Sequence, residues 1–329
     1  MNQPSLPYPP LELANRVGSL EGSEDPWKLY DDIGRCSRED IVRRLPANWT
    51  FQGKRILDFG CGAGRTLRHF APEASEAEVW GCDIDEASIS WMEENQCPPF
   101  HVFANGAEPP LPHPAESFDL IWAVSVFTHL TDNWSRWLLE LHRVLTKDGL
   151  LFATFMGSAM SEVIAGEPWE ETRCGMNVLK YGQSWNLGGP MVLHSPWWIE
   201  EHWGRAFEII SLAPDGFPGA SSEGHGSVLM RKRDSSITPD ILETLDPTEM
   251  RETSALAHGV RQLLDECSEL RRERDYLSSE LALAREQMLQ HERQLSDLAR
   301  RLETIEQSKS WRVTRPLRNV AAQVRAARR

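Results

Sequence analysis

The sequence lacks the features of membrane-spanning, secreted and zinc-binding proteins. No stretch approaches the roughly 18 consecutive apolar residues that a spanning helix needs. The N-terminus, MNQPSLPYPPLEL, has neither the basic nor the apolar region of a signal peptide, so we expect a cytoplasmic protein. The six cysteines form no CxxC pair and no Cys/His cluster with zinc spacing. We therefore predict reduced thiols and no metal site.

Basic residues are also scarce, and they are unevenly distributed. The 329 residues include 35 Lys and Arg against 49 Asp and Glu, which gives a net charge of −14. Such an excess of acid argues against a nucleic-acid partner. Residues 308–329 are the exception, because they carry basic side chains and no acidic ones.

The most informative stretch runs from Lys54 to Arg65 and reads KRILDFGCGAGR. Its apolar run ends at Asp58 and leads into Gly60, Gly62 and Gly64, which predicts a strand, a tight turn and the start of a helix. Glycines let the backbone approach a ligand closely, and a helix start offers unpaired N–H groups. A plain chain reversal is the alternative. The spacing differs from both the dinucleotide fingerprint and the P-loop.

This GxGxG spacing, with an acidic residue two positions earlier, resembles motif I of the class I S-adenosylmethionine methyltransferases. The resemblance extends from about residue 51 to residue 232. Within it, PPLPHPAESFDLIWAVSVFTHL (residues 109–130) resembles the fourth-strand region of the methyltransferase type 11 group. It implies an α/β fold with a Rossmann-like seven-stranded methyltransferase sheet, helices on both faces, and S-adenosylmethionine as the cofactor.

Three later positions complete the expected cofactor site. Asp83 ends the predicted second strand, where a carboxylate can bind both ribose hydroxyls. Asp85 is the alternative for this ribose-binding role, but it is the better N-cap of the next helix. Asn105 could bond an adenine edge or simply form an Asn-Gly turn. The resemblance to the methyltransferases implies that Ser125 borders the methionine part of the cofactor. The predicted cofactor-binding residues are Asp58, Gly60, Cys61, Gly62, Gly64, Asp83, Ile84, Asn105, Gly106 and Ser125.

Histidines are the candidate acid/base groups. His129 could take a proton from an attacking hydroxyl near the methyl donor, and His194 and His225 are further candidates. Ordinary packing is the alternative for each of them. Residues 158–205 are rich in aromatic side chains, which suit the apolar faces of an acceptor such as a sugar, although buried aromatics more often form a core.

Composition and periodicity divide the chain. We expect a flexible arm (1–24), an N-terminal helical cap (25–50), the methyltransferase domain (51–233) and a linker (234–255). Residues 256–307 then carry apolar or small residues in steps of four and three, interrupted at the seam by Arg274 and His291. This strict heptad repeat predicts a long coiled-coil helix that self-associates as a dimer or trimer.

The last segment, residues 308–329, combines basic side chains with Trp311 and aliphatic residues. This pattern predicts an amphipathic helix on an anionic membrane surface, with a disordered basic end as the alternative. Its SKSWRVTRPLR stretch resembles a short motif of bacterial surface-polysaccharide assembly proteins.

These expectations together predict an O-methyltransferase acting on a sugar hydroxyl or terminal phosphate of a bacterial cell-surface glycan, in the cytoplasm and peripherally at the inner membrane. The alternatives are a methyltransferase for a soluble small molecule and a non-catalytic scaffold of a polysaccharide assembly complex.

Overall fold

The computed structural model describes residues 6–16, 20, 22–184, 188–218 and 224–326. The strands are β1 (Arg55–Phe59), β2 (Glu78–Asp83), β3 (His101–Ala104), β4 (Phe118–Ala123), β5 (Leu145–Phe155), β6 (Met176–Leu179), β7 (Met191–His194), β8 (Phe207–Phe217) and β9 (His225–Lys232). The helices are α1 (Leu11–Asn15), α2 (Pro26–Arg44), α3 (Glu86–Asn95), α4 (Trp134–Val144), α5 (Ser158–Ala165), α6 (Pro196–His202), α7 (Pro239–Glu243), α8 (Met250–Gln307) and α9 (Lys309–Ala326).

The main sheet has seven strands in the order β3-β2-β1-β4-β5-β9-β8. The first five are parallel, and β9 pairs antiparallel with both β5 and β8. This arrangement confirms the predicted fold class. The carboxyl ends of β1, β2, β3 and β4 lie along one edge, where open α/β sheets bind their ligands.

Both faces of the central strands are buried. Leu57 and Ile121 pack into one apolar cluster together with Trp137 of α4. Their neighbours Ile56 and Leu120 belong to a second cluster, on the opposite face of the sheet. Alternate residues of a strand point to opposite faces, so strands that are apolar at every position require helices on both sides.

The glycine turn leads into a shorter element than expected. The sequence predicts the start of a helix after the glycine turn, but the structure has a single 3-10 turn at Leu67–Phe70, followed by another at Glu73–Ser75. Asp85 does cap α3 as predicted, because its side chain accepts a hydrogen bond from the Ser88 N–H at 3.2 Å.

The described part of the N-terminal arm packs on the domain, unlike the flexible arm that we expected over residues 1–24. Leu20 is 1% exposed and lies in an apolar cluster with Ala14 and Tyr30. The Arg68 guanidinium donates to the carbonyl of Leu6 at 2.7 Å. These contacts attach residues 6–16 and 20 to the glycine-turn side of the sheet.

The expected linker, residues 234–255, also packs on the domain. Leu242 of α7 is fully buried, and Glu252 in the first turn of α8 pairs with His202 at 2.9 Å. The chain divides into two compact units, Met1–Leu264 and Asp265–Arg329, so the boundary lies within α8 rather than in residues 234–255.

The second unit contains the rest of α8 and α9. The predicted long C-terminal helix is confirmed, and its heptad residues are exposed, with Leu277, Leu295 and Leu302 each more than half accessible. Pairing of this helix in a coiled coil stays a prediction. Within the described ranges, no helix carries an apolar stretch of the length needed to cross a bilayer.

Candidate cofactor and active site

The glycine turn between β1 and the following 3-10 turn requires its glycines for backbone conformation. Gly60, Gly62 and Gly64 have φ angles of +85°, +52° and +81°. A Cβ on Gly60 would in addition collide with the Val126 side chain, which follows the end of β4. The turn is therefore packed against β4 as well as shaped for close approach by a ligand.

The N–H groups of this turn are largely engaged within the protein, contrary to our expectation of free donors. Gly60 and Cys61 both donate to the carbonyl of Cys82, at 2.8 and 2.9 Å. Gly62 donates to the Asp83 carboxylate at 2.7 Å, and Gly64 donates to the carbonyl of Cys61. The Cys61 thiol is buried, so its side chain packs inward and leaves only backbone for a ligand.

Asp83 and Asn105 lie together at the ends of β2 and β3. The Asp83 carboxylate accepts from the N–H groups of Gly62 and Asp85, at 2.7 and 2.8 Å, and burial raises its pKa. The Asn105 N–H donates to the Asp83 carbonyl, while its buried side-chain Oδ1 has no partner in the described part of the chain. Ile84 is 50% exposed beside them. These groups fit a ribose and the face and edge of an adenine.

Asp58 lies at the end of β1, beneath the turn. It is 1% exposed, and its Oδ2 atom makes no hydrogen bond within the described residues. Burial raises the pKa of Asp58 to about 7; the Trp122 indole N–H and the Arg65 guanidinium oppose this shift, and the Asp83 carboxylate adds to it. A buried carboxylate whose Oδ2 atom has no partner in the described residues fits the ammonium group of an amino-acid ligand such as the methionine part of S-adenosylmethionine.

Ser125 follows β4 at the same edge. It has a φ of +61°, which a non-glycine residue rarely adopts, and its N–H donates to the Thr154 hydroxyl of β5 at 2.8 Å. The next residue, Val126, lies against Gly60 of the glycine turn. That Ser125 borders the methionine part of the cofactor stays a prediction. Gly106 follows Asn105 and accepts a hydrogen bond from its side-chain amide at 2.9 Å.

Two of the three candidate histidines lie close together. The His129 ring donates through Nδ1 to the carbonyl of Pro190 at 2.7 Å, and burial lowers its pKa. His225 is 8% exposed at the start of β9. Burial, with smaller effects from His129 and Arg65, lowers the pKa of His225 to about 4. Both imidazoles are neutral at pH 7 and able to accept a proton.

His194 does not join this pair, which corrects our prediction for it. Its side chain is fully buried, with ring contacts to Trp198 and Trp203 and an electrostatic effect from His202. No solvent or ligand can reach this ring without opening the core. His194 is a core residue, and we remove it from the catalytic candidates.

The aromatic segment forms core more than pocket. Trp197, Trp198 and Trp203 are each less than 7% exposed. Trp169, however, lines a cavity of about 420 Å³ together with Asn177 and Gln262. Trp185 lies outside the described residues.

Two residues of the site were not predicted from the sequence. The Tyr30 hydroxyl on α2 donates to the carbonyl of Ala63 in the glycine turn, at 3.1 Å. Arg65 is 7% exposed and faces the same region. Its position directly after the glycine triplet was the available signal, because a charged side chain at the start of a buried turn must either reach solvent or bind a partner.

The central part of the chain matches a known family. Residues 57–153 match the family model described as a methyltransferase domain. This match supports S-adenosylmethionine-dependent methyl transfer as the chemistry of the domain and confirms the predicted cofactor. It covers less than a third of the 329 residues and leaves the arm, α8 and α9 unassigned.

Curated relatives align over a similar region. The chain is 30% identical over 146 residues to phthiotriol/phenolphthiotriol dimycocerosates methyltransferase 1 of Mycobacterium ulcerans, covering 44% of this chain and 49% of the relative. It is 27% identical over 177 residues to malonyl-[acyl-carrier protein] O-methyltransferase of Halorhodospira halophila, covering 50% and 56%. The chain thus spans about half the length of the curated relatives it matches.

Solved structures were also found at low identity. A SAM-dependent methyltransferase from Methanosarcina mazei is 19% identical with a TM-score of 0.43, over 59% of this chain and 96% of that chain. The PH0226 protein from Pyrococcus horikoshii is 15% identical with a TM-score of 0.45, over 67% and 96%.

Proposed function

We propose that residues 51–233 bind S-adenosylmethionine at the carboxyl ends of β1 to β4 and transfer its methyl group to an acceptor oxygen. The observation that carries this proposal is the placement of Asp58, Asp83 and Asn105 along one sheet edge, within the matched methyltransferase domain. The cofactor supplies a methyl group on a sulfonium, so the protein has mainly to orient the reactants and exclude water.

We assign proton transfer to His129 and His225. A hydroxyl that attacks the methyl group must lose a proton, and His129 and His225 are neutral imidazoles on the β4 and β9 sides of the site. The Pro190 carbonyl fixes one proton on Nδ1 of His129 and so sets the tautomer of that ring.

For the acceptor we propose a sugar hydroxyl or terminal phosphate of a cell-surface glycan. The cavity of about 420 Å³ supports this choice, since it combines the Trp169 ring with the polar side chains of Arg173, Asn177 and Gln262. Leu193 lines the same cavity and bridges to Met156, the residue that follows β5. This bridge links the cavity to the end of β5 and supports its choice as the acceptor site.

The acceptor is tested with methyl-labelled S-adenosylmethionine, the purified full chain and a cell-envelope extract. We expect label in the polysaccharide fraction that survives mild base, because methyl ethers are stable where methyl carboxylate esters release methanol. The two relatives act, by name, on a dimycocerosate and on a malonyl carrier protein. Label in the lipid fraction, or base-labile label on protein, would therefore overturn the glycan proposal. Cofactor binding without any transfer would favour the scaffold.

We propose two further partners, a second copy of the chain through residues 256–307 and an anionic membrane surface through residues 308–329. In α9 the exposed apolar residues Val313 and Leu317 accompany the basic residues of the tail. A helix of this kind binds through apolar burial and through attraction to anionic lipid.

Vesicle sedimentation tests the membrane partner. Replacing Lys309, Arg312 and Arg315 by Gln should weaken binding to phosphatidylglycerol vesicles about 10- to 100-fold. The matched control replaces Arg272, Arg293 and Arg300 by Gln, which removes the same charge from exposed positions of α8 outside the heptad seam. Equal loss in both variants would show a general charge effect and would contradict a membrane role for the tail.

A further inference from the structure

Arg65 carries a buried guanidinium without a partner. The side chain is 7% exposed, and its Nε and Nη1 atoms are buried with no hydrogen-bond acceptor in the part of the chain that the structure describes. An arginine stays charged at any physiological pH, and a buried charge without a counter-ion is strongly unfavourable. A residue in this state within a ligand site indicates that the ligand supplies the anion.

The backbone around Arg65 is held in place from the side of α2. A Cβ on Gly34 of α2 would overlap the Arg65 carbonyl, so the helix lies directly against this residue. The Tyr30 hydroxyl bonds the preceding turn at the Ala63 carbonyl. The backbone of Arg65 is therefore held against α2, while its guanidinium forms no ion pair within the described residues.

Arg68, three residues later, provides the contrast. It is equally buried, at 8% exposure, but it donates to the carbonyls of Leu6 and Pro7 and lies over the Tyr8 ring at 4.1 Å. Burial alone does not leave an arginine without acceptors in this region. Arg65 differs because its Nε and Nη1 atoms find no acceptor within hydrogen-bond distance among the described residues.

The charges around Arg65 match an amino-acid zwitterion. Asp58 is close enough to influence the pKa of Arg65, yet the two side chains form no ion pair, although both are described. The N–H groups of Gly60, Cys61 and Gly62, which could otherwise hold an anion, are engaged within the protein. A ligand carboxylate bound here must then rely on a side-chain cation.

We propose that Arg65 binds the carboxylate of the methionine part of S-adenosylmethionine, with Asp58 on the side of the ammonium group. The guanidinium can hold a carboxylate through two parallel hydrogen bonds. The inference rests on the proposed cofactor site and assigns one residue within it. It also explains why the guanidinium is buried without an acceptor among the described residues.

Calorimetry with two nucleosides tests this assignment without any acceptor. S-adenosylhomocysteine keeps the amino-acid end, whereas 5′-methylthioadenosine lacks it. Arg65→Met should weaken S-adenosylhomocysteine binding about 10- to 100-fold and leave the methylthioadenosine Kd within about twofold of wild type. Arg65→Lys should recover part of the loss, and the wild type should bind decarboxylated S-adenosylmethionine more weakly than S-adenosylmethionine by a similar factor.

The outcomes separate this inference from the proposed function. Equal losses for both nucleosides would show that Arg65 only supports the fold, and unchanged S-adenosylhomocysteine binding would show that it does not touch the carboxylate; either result overturns the assignment. If Arg65→Met fails to fold, Arg65→Lys carries the same comparison of the two nucleosides, because it keeps a cation at this position but cannot form the two parallel hydrogen bonds. A wild type that binds neither nucleoside overturns the proposed function and this inference together.

Discussion

Asp58 should reduce the stability of the ligand-free protein as the pH rises. Burial raises its folded pKa from 3.8 to about 7, so between these values the folded protein keeps a proton that the unfolded chain has lost. Stability then falls with increasing pH across that window, by at most roughly 1.4 kcal/mol per pH unit. Asp58→Asn removes this slope, and we expect it to unfold at higher urea than wild type at pH 8.

The two proteins should converge near pH 4, where both carry a neutral group at this position. The exposed substitution Asp234→Asn serves as the control and should leave the slope unchanged. Urea unfolding could instead show that the free energy of unfolding changes with pH equally in Asp58→Asn and in wild type from pH 4 to pH 8. In that case ionisation of the buried carboxylate would not destabilise the folded protein. That result would also remove the reason to assign it a cationic ligand group.

His194 has the opposite effect on acid stability. Its ring is fully buried with neither nitrogen hydrogen-bonded in the described structure, and burial lowers its pKa from 6.5 to about 3. As the pH falls below 6.5, the unfolded chain takes up a proton that the folded protein refuses. Stability is therefore lost toward acid, by up to about 1.4 kcal/mol per pH unit.

His194→Leu should reduce the loss of unfolding free energy between pH 6.5 and pH 4, as measured by urea unfolding. It should leave the S-adenosylhomocysteine Kd unchanged. His101→Gln, at an exposed position on β3, is the matched control. A His194→Leu variant that kept the wild-type acid slope would contradict the buried neutral state. A large loss of cofactor affinity would return His194 to the site.

At the level of strands and helices, the sequence pattern predicted an element correctly where a single physical requirement, such as burial on both faces, determined its residues. The apolar runs of β1 and β4 are buried on both faces, which agrees with the predicted sheet covered by helices on both sides. The predicted linker was wrong because its prolines are structural: Pro239 occupies the first turn of α7, where its missing N–H costs nothing, after a Thr238 cap. His194 was misassigned because the short β7 pairs with β6, outside the main sheet.

The heptad of α8 permits a prediction about strand direction. In a parallel, in-register pair, each g position faces the e position five residues later on the other helix. This rule pairs Glu266 with position 271, Glu280 with position 285 and Arg301 with position 306. All three pairs are of opposite charge, since Arg271, Arg285 and Glu306 occupy those positions. Charge along the helix therefore favours a second copy of the chain as the partner.

Cys267 reports this arrangement directly. It is an exposed free thiol at a seam position of α8, where a parallel pair brings equivalent residues within disulfide distance. Mild oxidation should convert the wild type to a disulfide-linked dimer, detected by non-reducing electrophoresis. Cys267→Ser should remove the product, and Cys36→Ser should retain it. A protein that sediments as a dimer but does not cross-link through Cys267 would be antiparallel or shifted in register.

For the whole molecule, the unit boundary within α8 means that the first turns of this helix belong to the methyltransferase domain. Glu252 is 3% exposed and pairs with the buried His202, and the Asn177 side chain donates to Gln262 at 2.9 Å. A chain ending after Ser268 keeps both contacts and loses most of the heptads. We expect it to be monomeric, to bind S-adenosylhomocysteine like the full chain and to retain its unfolding midpoint in urea.

A chain ending after Glu249 removes Glu252 and leaves His202 buried without its carboxylate, and it also uncovers the surface beneath Ala255. Breaking a buried pair in this way costs about 3 kcal/mol or more, so this shorter chain should unfold at markedly lower urea than the chain ending after Ser268. Glu252→Gln in the full-length protein should reproduce part of that loss without any change in length. If both truncations were equally stable, α8 would contribute nothing to the domain, and residues 234–255 would be the simple linker that their composition predicted.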